Sequence, residues 1–541
     1  MILCSFQFCF TVVGGDFQNM TKLSVNDFYQ NKTLLVTGIT GFVGKVLLEK
    51  LLRKFSKSLK CIYVLIREKK SQTAEQRLAQ LFLQSPIFEP HKDKINLVHA
   101  INGDITVKDM ALSEEDRHKL IDEVNVVIHC AATVNFTGVF EKFIQQNIDG
   151  TDSLLRLCQQ MIHIESIVYV STAYGNCHLK EIEEKIYPVI RGENFDSYLE
   201  NLKKTYSNLD LKKGHHALLG RPNPYTLSKS IAEWMIQERY GSLPVIICRP
   251  SIVCNSFAEP IPGWCDSVSG CAGAAIMTAL GIARSIIFDV NCKADIIPVD
   301  MVVNTLLIAA AYRASQLFNE DRKVIHVTLG PNQLTWGEFF KITINFSDTL
   351  PPMKLIRPIK MSGNKHQSFM DRIKYKSSLI FSHYLFAYFF DFICIVIGQK
   401  PFMIKLIQRL NNSSHVLKPF SCNEWNFQYE NLQFIRNLLD KCERDDFFTD
   451  TNIIDWQPYL YNLILGCRRY ILKDPDSTLQ LAINRQHRIK FLLIIMKIII
   501  SFLCYWLIRS SIHMDFFNSL LFDLPVCIGI ALYFFNYYDR M

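Results

Sequence analysis

LLVTGITGFVGKVLLEKLL, residues 34–52, decides the fold of this chain. LLVT is an unbroken apolar run, which is what a strand buried on both faces requires. GKVLLEKLL then repeats its apolar residues at helical spacing. Between strand and helix stand Gly38, Gly41 and Gly44, spaced G-x-x-G-x-x-G. Gly38 permits a sharp turn out of the strand. Gly41 lets backbone approach a pyrophosphate, and Gly44 lets the helix pack tightly on the sheet. The N-terminus of the helix then offers free N–H groups to an anion. Gly38, Thr40, Gly41, Phe42, Val43 and Gly44 are therefore the candidate phosphate cradle of a dinucleotide.

The same rhythm continues outward to about residue 310. CIYVLIR, INLVHAINGDI, NVVIHCAA, SIVYVSTAYG and LPVIICRPSIV are further apolar runs with longer segments between them. This predicts an α/β chain: a Rossmann-type, doubly wound parallel sheet with helices on both faces. Ligands of such sheets bind at the C-terminal ends of the strands, so the residues there become candidates. Arg67 ends the second run, with Lys69 and Lys70 close behind. A basic residue at this point suits the 2′-phosphate of NADP, where an acidic one would suit NAD. Asp104 and Ile105 end the third run, where a carboxylate can accept from the adenine amino group. Ala131, Ala132 and Thr133 end the fourth, and the small alanines let backbone pass close to a cofactor.

Ser171 and Thr172 stand at the end of the fifth run, where a hydroxyl can hydrogen-bond a substrate carbonyl. In NPYTLSKSIAEW, residues 223–234, Tyr225 and Lys229 lie one helical turn apart. Alone the pair says little, because Y-x-x-x-K is common. Beside a nicotinamide it makes sense. A tyrosine is a poor acid at its usual pKa of about 10. A neighbouring ammonium and a positively charged cofactor ring would lower that value and favour proton relay.

Together these motifs resemble the extended short-chain dehydrogenases, and more narrowly the fatty acyl-CoA reductases. The narrower resemblance rests on RPSIVCNSFAEPIPGWCDSVSG (249–270), AYFFDFICIVIGQKPFMIKLIQRL (387–410), NEWNFQYENLQ (423–433) and IDWQPYLYNLILGCRRYILKD (454–474). It also rests on the long insert between Tyr174 and Tyr225, and it covers about residues 26–473. It implies NADPH as cofactor, a long-chain fatty acyl-CoA as substrate and a fatty alcohol as product, formed through a bound aldehyde with release of coenzyme A. It implies Tyr225, Lys229 and Thr172 or Ser171 as the catalytic set, and adds Pro250, Ser251 and Ile252 to the cofactor residues. Asn135 departs from the expected pattern, standing where a basic residue is expected. Asn147 is a candidate to orient a relay water near Lys229. A hydroxysteroid dehydrogenase or a sugar-nucleotide epimerase would share the glycines and the Tyr/Lys pair, but not the PIPGW segment or the aromatic tail. A non-enzymatic lipid-binding protein would have no use for an intact Tyr225 and Lys229.

The 541 residues carry a formal charge of +8, with 49% hydrophobic and 20% charged residues. The mean hydropathy of +0.10 is high for a soluble enzyme and points to a membrane lipid partner. The basic excess is spread out, so no nucleic-acid partner is expected. The 17 cysteines include no C-x-x-C pair and no ligand spacing, which predicts reduced thiols and no metal. Residues 1–25 read as an N-terminal extension and 26–330 as the NADP-binding domain with its substrate-binding insertions. Residues 331–375 read as a linker, 376–475 as a helical C-terminal domain and 488–541 as a membrane anchor. In the anchor, 490–510 and 516–538 suggest a helical hairpin, with the basic RQHRIK before it on the cytosolic side. An endoplasmic reticulum or peroxisomal membrane would suit it, with the catalytic domain facing the cytosol. The apolar stretch 378–398 contains His383 and Asp391, which favours a buried or interfacial helix over a span.

Overall fold

The computed structural model of the chain describes residues 22–69, 71–206, 218–364 and 368–510. Seven strands form the main sheet: β1 (Thr33–Thr37), β2 (Cys61–Ile66), β3 (Val98–Asn102), β4 (Val126–His129), β5 (Ser166–Val170), β6 (Val245–Pro250) and β7 (Val324–Val327). Their order is β7-β6-β5-β4-β1-β2-β3, and every pairing is parallel. The direction of winding reverses between β1 and β4, where Thr37 pairs with His129. Ligands of open sheets bind at that crevice. β1 and β2 are buried at every residue, so neither shows the polar alternation of a half-exposed strand. Their successive side chains feed two cores, with Leu34, Val36 and Ile62 on one face and Leu35, Tyr63 and Leu65 on the other.

The described helices include α1 (Phe42–Phe55), α2 (Pro224–Tyr240), α3 (Val299–Ala314), α4 (Trp336–Thr349), α5 (Leu385–Val396), α6 (Met403–Ser421), α7 (Trp456–Gly466) and α8 (Leu479–Ser510). α3 is buried from Val299 to Tyr312 and backs the sheet. The tail does not stand apart from it. Tyr459, Leu460 and Leu463 of α7 share one core with Val36 and Val64. A Cβ on Gly466 would come within 1.8 Å of the Gly263 carbonyl oxygen, so the two backbones touch.

Six of the seven strands lie in the apolar runs of the sequence. β7 does not, because it lies past residue 310, where the regular alternation of apolar runs and helices has ended. Residues 331–375 hold α4, which opens on a Thr335/Glu338 capping box and buries Trp336, Phe339 and Phe340. The cysteines from Cys61 to Cys467 are free thiols.

In segment 378–398 the helix buries His383, Ala387, Asp391 and Cys394 and exposes Phe381, Leu385, Tyr388, Phe389, Phe392 and Val396. Among the described residues Phe369–Val396 is the one helix long and apolar enough to cross a membrane. α8 takes in residues 490–510 as one helix. Gln486 and Lys490 bind Asp348, and beyond Gln486 no described side chain of α8 is buried. The second half of the expected hairpin, 516–538, lies outside the described residues, as do Lys70 and residues 1–21.

Candidate active site

The glycine turn is built without slack. Gly38 has φ +80°, and a Cβ there would meet Ala131 N at 2.7 Å. A Cβ on Gly44 would meet the Gly38 carbonyl oxygen at 2.3 Å. The Gly41 amide donates to that same oxygen at 2.9 Å. α1 begins at Phe42, and no side chain caps it. The first-turn amides of Phe42, Val43 and Gly44 therefore keep their capacity for an anion, with Thr40 exposed beside them. Phe42 stacks on Trp264 of the PIPGW segment at 5.4 Å, and Lys45 pairs with Asp266. That segment braces the cradle from outside.

The end of β4 is tied to β1 by a directed chain of hydrogen bonds. Ala131 N donates to Thr37 Oγ1 (3.2 Å), and Thr37 in turn meets His129 Nδ1 (2.7 Å). His129 Nε2 meets Thr151 Oγ1 (3.1 Å), which donates to Asn147 O (2.8 Å). Because Thr151 already donates to Asn147 O, His129 Nε2 carries a proton. Burial, aided by Lys229, lowers its pKa to about 3 and keeps the ring neutral. Asn147 sits in a π-turn (Ile144–Asp149), where it accepts from Thr133 N (2.9 Å) and donates to Ser228 Oγ (2.9 Å). These contacts make it a brace between the loop after β4 and α2.

Arg67 is exposed at the end of β2, 3.7 Å from Asp104 Oδ2. Asp104 Oδ1 accepts from Thr106 N (2.9 Å) and Thr106 Oγ1 (2.8 Å), so one of its oxygens is already engaged. Arg77 donates to the Arg67 carbonyl and adds a second guanidinium at this edge. Nothing in the spacing of the sequence singled out Arg77. Ile105 packs against Gly150, where a Cβ would come within 2.9 Å of the Ile105 carbonyl oxygen. Pro250 closes β6. Ser251 N donates to Val327 O (3.1 Å) and Ile252 N to Asp295 O (3.1 Å).

α2 starts with Pro224 at its first position and Asn223 as cap, whose Oδ1 accepts from Thr226 N at 3.0 Å. This start brings Tyr225 and Lys229 to the end of β5. Lys229 Nζ donates to Val170 O (2.7 Å) and Tyr169 Oη (3.3 Å), and lies 4.6 Å from the centre of the Tyr169 ring. Burial lowers the ammonium to about 8. Tyr225 goes the other way. Burial pushes its phenol up to about 12, with a hydrogen bond to Thr172 pulling back. Lys229 is thus engaged with the end of β5. The phenol is held protonated, as a proton donor must be at neutral pH.

Thr172 is the hydroxyl that meets Tyr225, and its Oγ1 also accepts from Tyr174 N at 3.3 Å. Ser171 Oγ is buried and finds no hydrogen-bond partner among the described residues. The sequence left these two hydroxyls open, and alternation at a strand end separates them. Thr172→Val is expected to lower kcat by about 10²-fold, the scale of losing one oxyanion donor. Ser171→Ala is expected to stay within about threefold of wild type, well under 1 kcal/mol of barrier. Steady-state rates of the two variants decide.

An aromatic wall faces Tyr225. Phe136 meets it edge-on at 5.7 Å and stacks on Phe420 of α6 at 5.4 Å. Tyr174 packs against Phe420, Trp425 and Phe427 at 5.1–5.5 Å. Asn135, which stands where a basic residue was expected, is exposed, and Phe136 takes the position toward the site. Arg221, from the insert before α2, is buried. It donates to Gly175 O (2.7 Å), Asn176 Oδ1 (3.0 Å) and Ser230 Oγ (2.9 Å), clamping the turn after β5 to α2. Among the described residues no group of His, Cys, Asp or Glu is arranged to hold a metal ion.

A parallel sheet in this order, a glycine cradle at its switch point and a buried Tyr/Lys helix at the next strand edge define the nicotinamide-dependent extended short-chain dehydrogenase class. The cradle that a Cβ would fill and the uncapped helix start fit the dinucleotide. The comparisons with known proteins narrow the class. A family described as "Male sterility protein" matches residues 36–306, and a second one of the same description matches 382–474. Fatty acyl-CoA reductase 1 of Xenopus laevis is 34% identical over 482 residues, covering 87% of this chain and 91% of that protein. Fatty acyl-CoA reductase 1 of Homo sapiens shows the same values over 483 residues, and fatty acyl-CoA reductase 2 of Mus musculus is 34% identical over 470. The chain belongs to the fatty acyl-CoA reductase family. Solved reductase domains share its fold. The terminal R domain of the myxalamid PKS-NRPS pathway has a TM-score of 0.53 at 18% identity, covering 83% of this chain and 93% of its own. The reductase domain of a Mycobacterium tuberculosis non-ribosomal peptide synthetase also reaches 0.53.

Proposed function

We propose that the protein reduces long-chain fatty acyl-CoA to primary fatty alcohol, consuming two NADPH and releasing coenzyme A through a bound aldehyde. The observation that carries this reading is the Tyr225–Thr172 pair facing an aromatic wall drawn from two distant parts of the chain, Phe136 and Tyr174 on one side and Phe420, Trp425 and Phe427 on the other. NADPH supplies hydride, first to the thioester carbon and then to the aldehyde carbon. The hydroxyls of Tyr225 and Thr172 donate to the carbonyl oxygen as negative charge develops on it. Collapse of the first adduct expels the coenzyme A thiolate. In the second reduction Tyr225 passes its proton to the alkoxide. Lys229 holds a positive charge behind Tyr225, and the wall excludes water while the aldehyde is held.

Arg67 and Arg77 support NADPH over NADH, because two guanidiniums at the end of β2 suit a 2′-phosphate. Residues 488–541 are assigned as anchor to an intracellular membrane, endoplasmic reticulum or peroxisome, with the catalytic domain on the cytosolic side. The apolar composition and the basic run before it support that assignment.

Membranes from cells expressing the full chain, given C12 to C26 acyl-CoA, are expected to oxidise two NADPH per alcohol and release one thiol. Absence of turnover across the whole panel refutes the reading. Arg67→Asp is expected to raise KM for NADPH about tenfold or more, the loss of one charge-assisted contact, and to leave NADH unaffected. Tyr225 stays protonated well past neutrality, while Lys229 loses its charge above about pH 8. kcat/KM is therefore expected to hold near pH 7 and to fall through an alkaline limb near pH 8, which a pH–rate profile measures.

A further inference from the structure

The helix that runs from Phe369 through the π-turn Leu379–Tyr384 into α5 has its polarity reversed. Its buried stripe includes Tyr375, His383, Ala387 and Asp391. His383 Nε2 accepts from the amides of Arg284 (2.9 Å) and Ser285 (3.3 Å). The Asp391 carboxylate accepts from Phe402, Met403 and Ile404 N–H at 2.8–3.0 Å and so caps α6. The outward stripe carries Phe381, Leu385, Tyr388, Phe389, Phe392 and Val396, each 58–70% exposed. A surface helix of a soluble protein is arranged the other way round. A contiguous apolar face of this kind marks a docking surface. Exposed cations flank the apolar face in sequence: Arg372, Lys374 and Lys376 before it, Lys400, Lys405 and Arg409 after it.

We propose that α5 is a lipid-docking helix that lies in the interface of an anionic bilayer, with its apolar face among the acyl chains and its polar stripe on the protein. The flanking cations complement anionic headgroups, which selects a membrane over an apolar protein partner. The helix is not a span surrounded by lipid, because Asp391 and His383 tie one whole side of it to the body. The contact is separate from residues 488–541. It also reaches the site. α6 starts at the Asp391 cap and, being about 27 Å long, ends at Phe420 in the aromatic wall. An acyl chain dissolved in that leaflet thus lies at one end of α6 and the wall lies at the other.

The test uses the full chain in phosphatidylcholine/phosphatidylserine vesicles that contain a diazirine-bearing phospholipid, with adducts mapped by peptide mass spectrometry. Adducts are expected on 385–397. Phe389→Glu with Phe392→Glu, both exposed positions, is expected to reduce them at least fivefold while cofactor binding is retained. Lys400→Glu with Lys405→Glu is expected to reduce them on anionic vesicles and to change little on neutral ones. Absence of lipid adducts on 385–397 in wild type overturns the proposal, as does cross-linking of that segment to a second copy in their place. The readout does not depend on turnover, so it stands or falls apart from the reductase assignment.

Discussion

Tyr225→Phe is expected to lower kcat for acyl-CoA reduction by about 10²- to 10⁴-fold, the range of a lost general acid, with KM for NADPH unchanged. The substitution removes one oxygen and leaves the ring. Its packing on Phe136 and the cap at Asn223 stay, so the fold and the cradle are untouched. Thr172 still donates to the carbonyl oxygen, and residual turnover reports that hydroxyl alone. The aldehyde step should suffer more than the thioester step. Its alkoxide product must be protonated, whereas the first adduct collapses by expelling a thiolate. Free aldehyde is therefore expected to appear among the products of the variant. Single-turnover assays with acyl-CoA and with aldehyde separate the two steps. Equal losses on both would show that Tyr225 only positions substrate.

Gly44→Ala is the second large effect. The added methyl would sit 2.3 Å from the Gly38 carbonyl oxygen and 2.7 Å from the Ile39 Cα, both backbone atoms that no rotamer change can move. The loop must shift, and with it the first turn of α1. A stability loss of about 1–3 kcal/mol is expected from overpacking. A fall in kcat/KM of more than about 100-fold is expected as the phosphate cradle opens. Gly41→Ala is the contrast. Its methyl would meet only the Gly38 carbonyl oxygen, at 3.2 Å, so a much smaller change in melting temperature is expected. Thermal melts with and without NADPH measure both. A Gly44→Ala protein that binds NADPH as wild type does would show that the close approach is dispensable.

Local spacing carried the sheet a long way. A strand, a glycine turn and a helix within twenty residues need only nearest-neighbour sterics to be recognised, so β1, α1 and Gly38, Gly41 and Gly44 were legible. So was the Tyr225/Lys229 pair, because one helical turn separates them whatever surrounds the helix. β7 was not, because it lies past residue 310, after the regular alternation of strands and helices has ended. α4 was not, because its amphipathic stripe lies in a stretch whose flanks look like connecting chain. The partners of charged groups were also out of reach. The ammonium of Lys229 rests on Val170 O and Tyr169, contacts that no spacing in the sequence announces.

The sequence by itself determined the α/β class, the glycine turn and the helix that carries Tyr225 and Lys229, since each follows from residues close together in the chain, and membership in a reductase family, which follows from the order of many such stretches. Tertiary structure alone showed that Thr172 is the hydroxyl against Tyr225. Alternation at a strand end sends Ser171 and Thr172 to different surroundings, and only the packing of α2 shows which side is the site. It alone decided that Phe420, Trp425 and Phe427 wall the site, and that Arg221 and Asn147 brace it, because those contacts join segments far apart in sequence. It alone showed that the apolar helix at 385–396 faces outward. Composition reports how apolar a helix is, whereas the side it buries is set by where Asp391 and His383 find their partners.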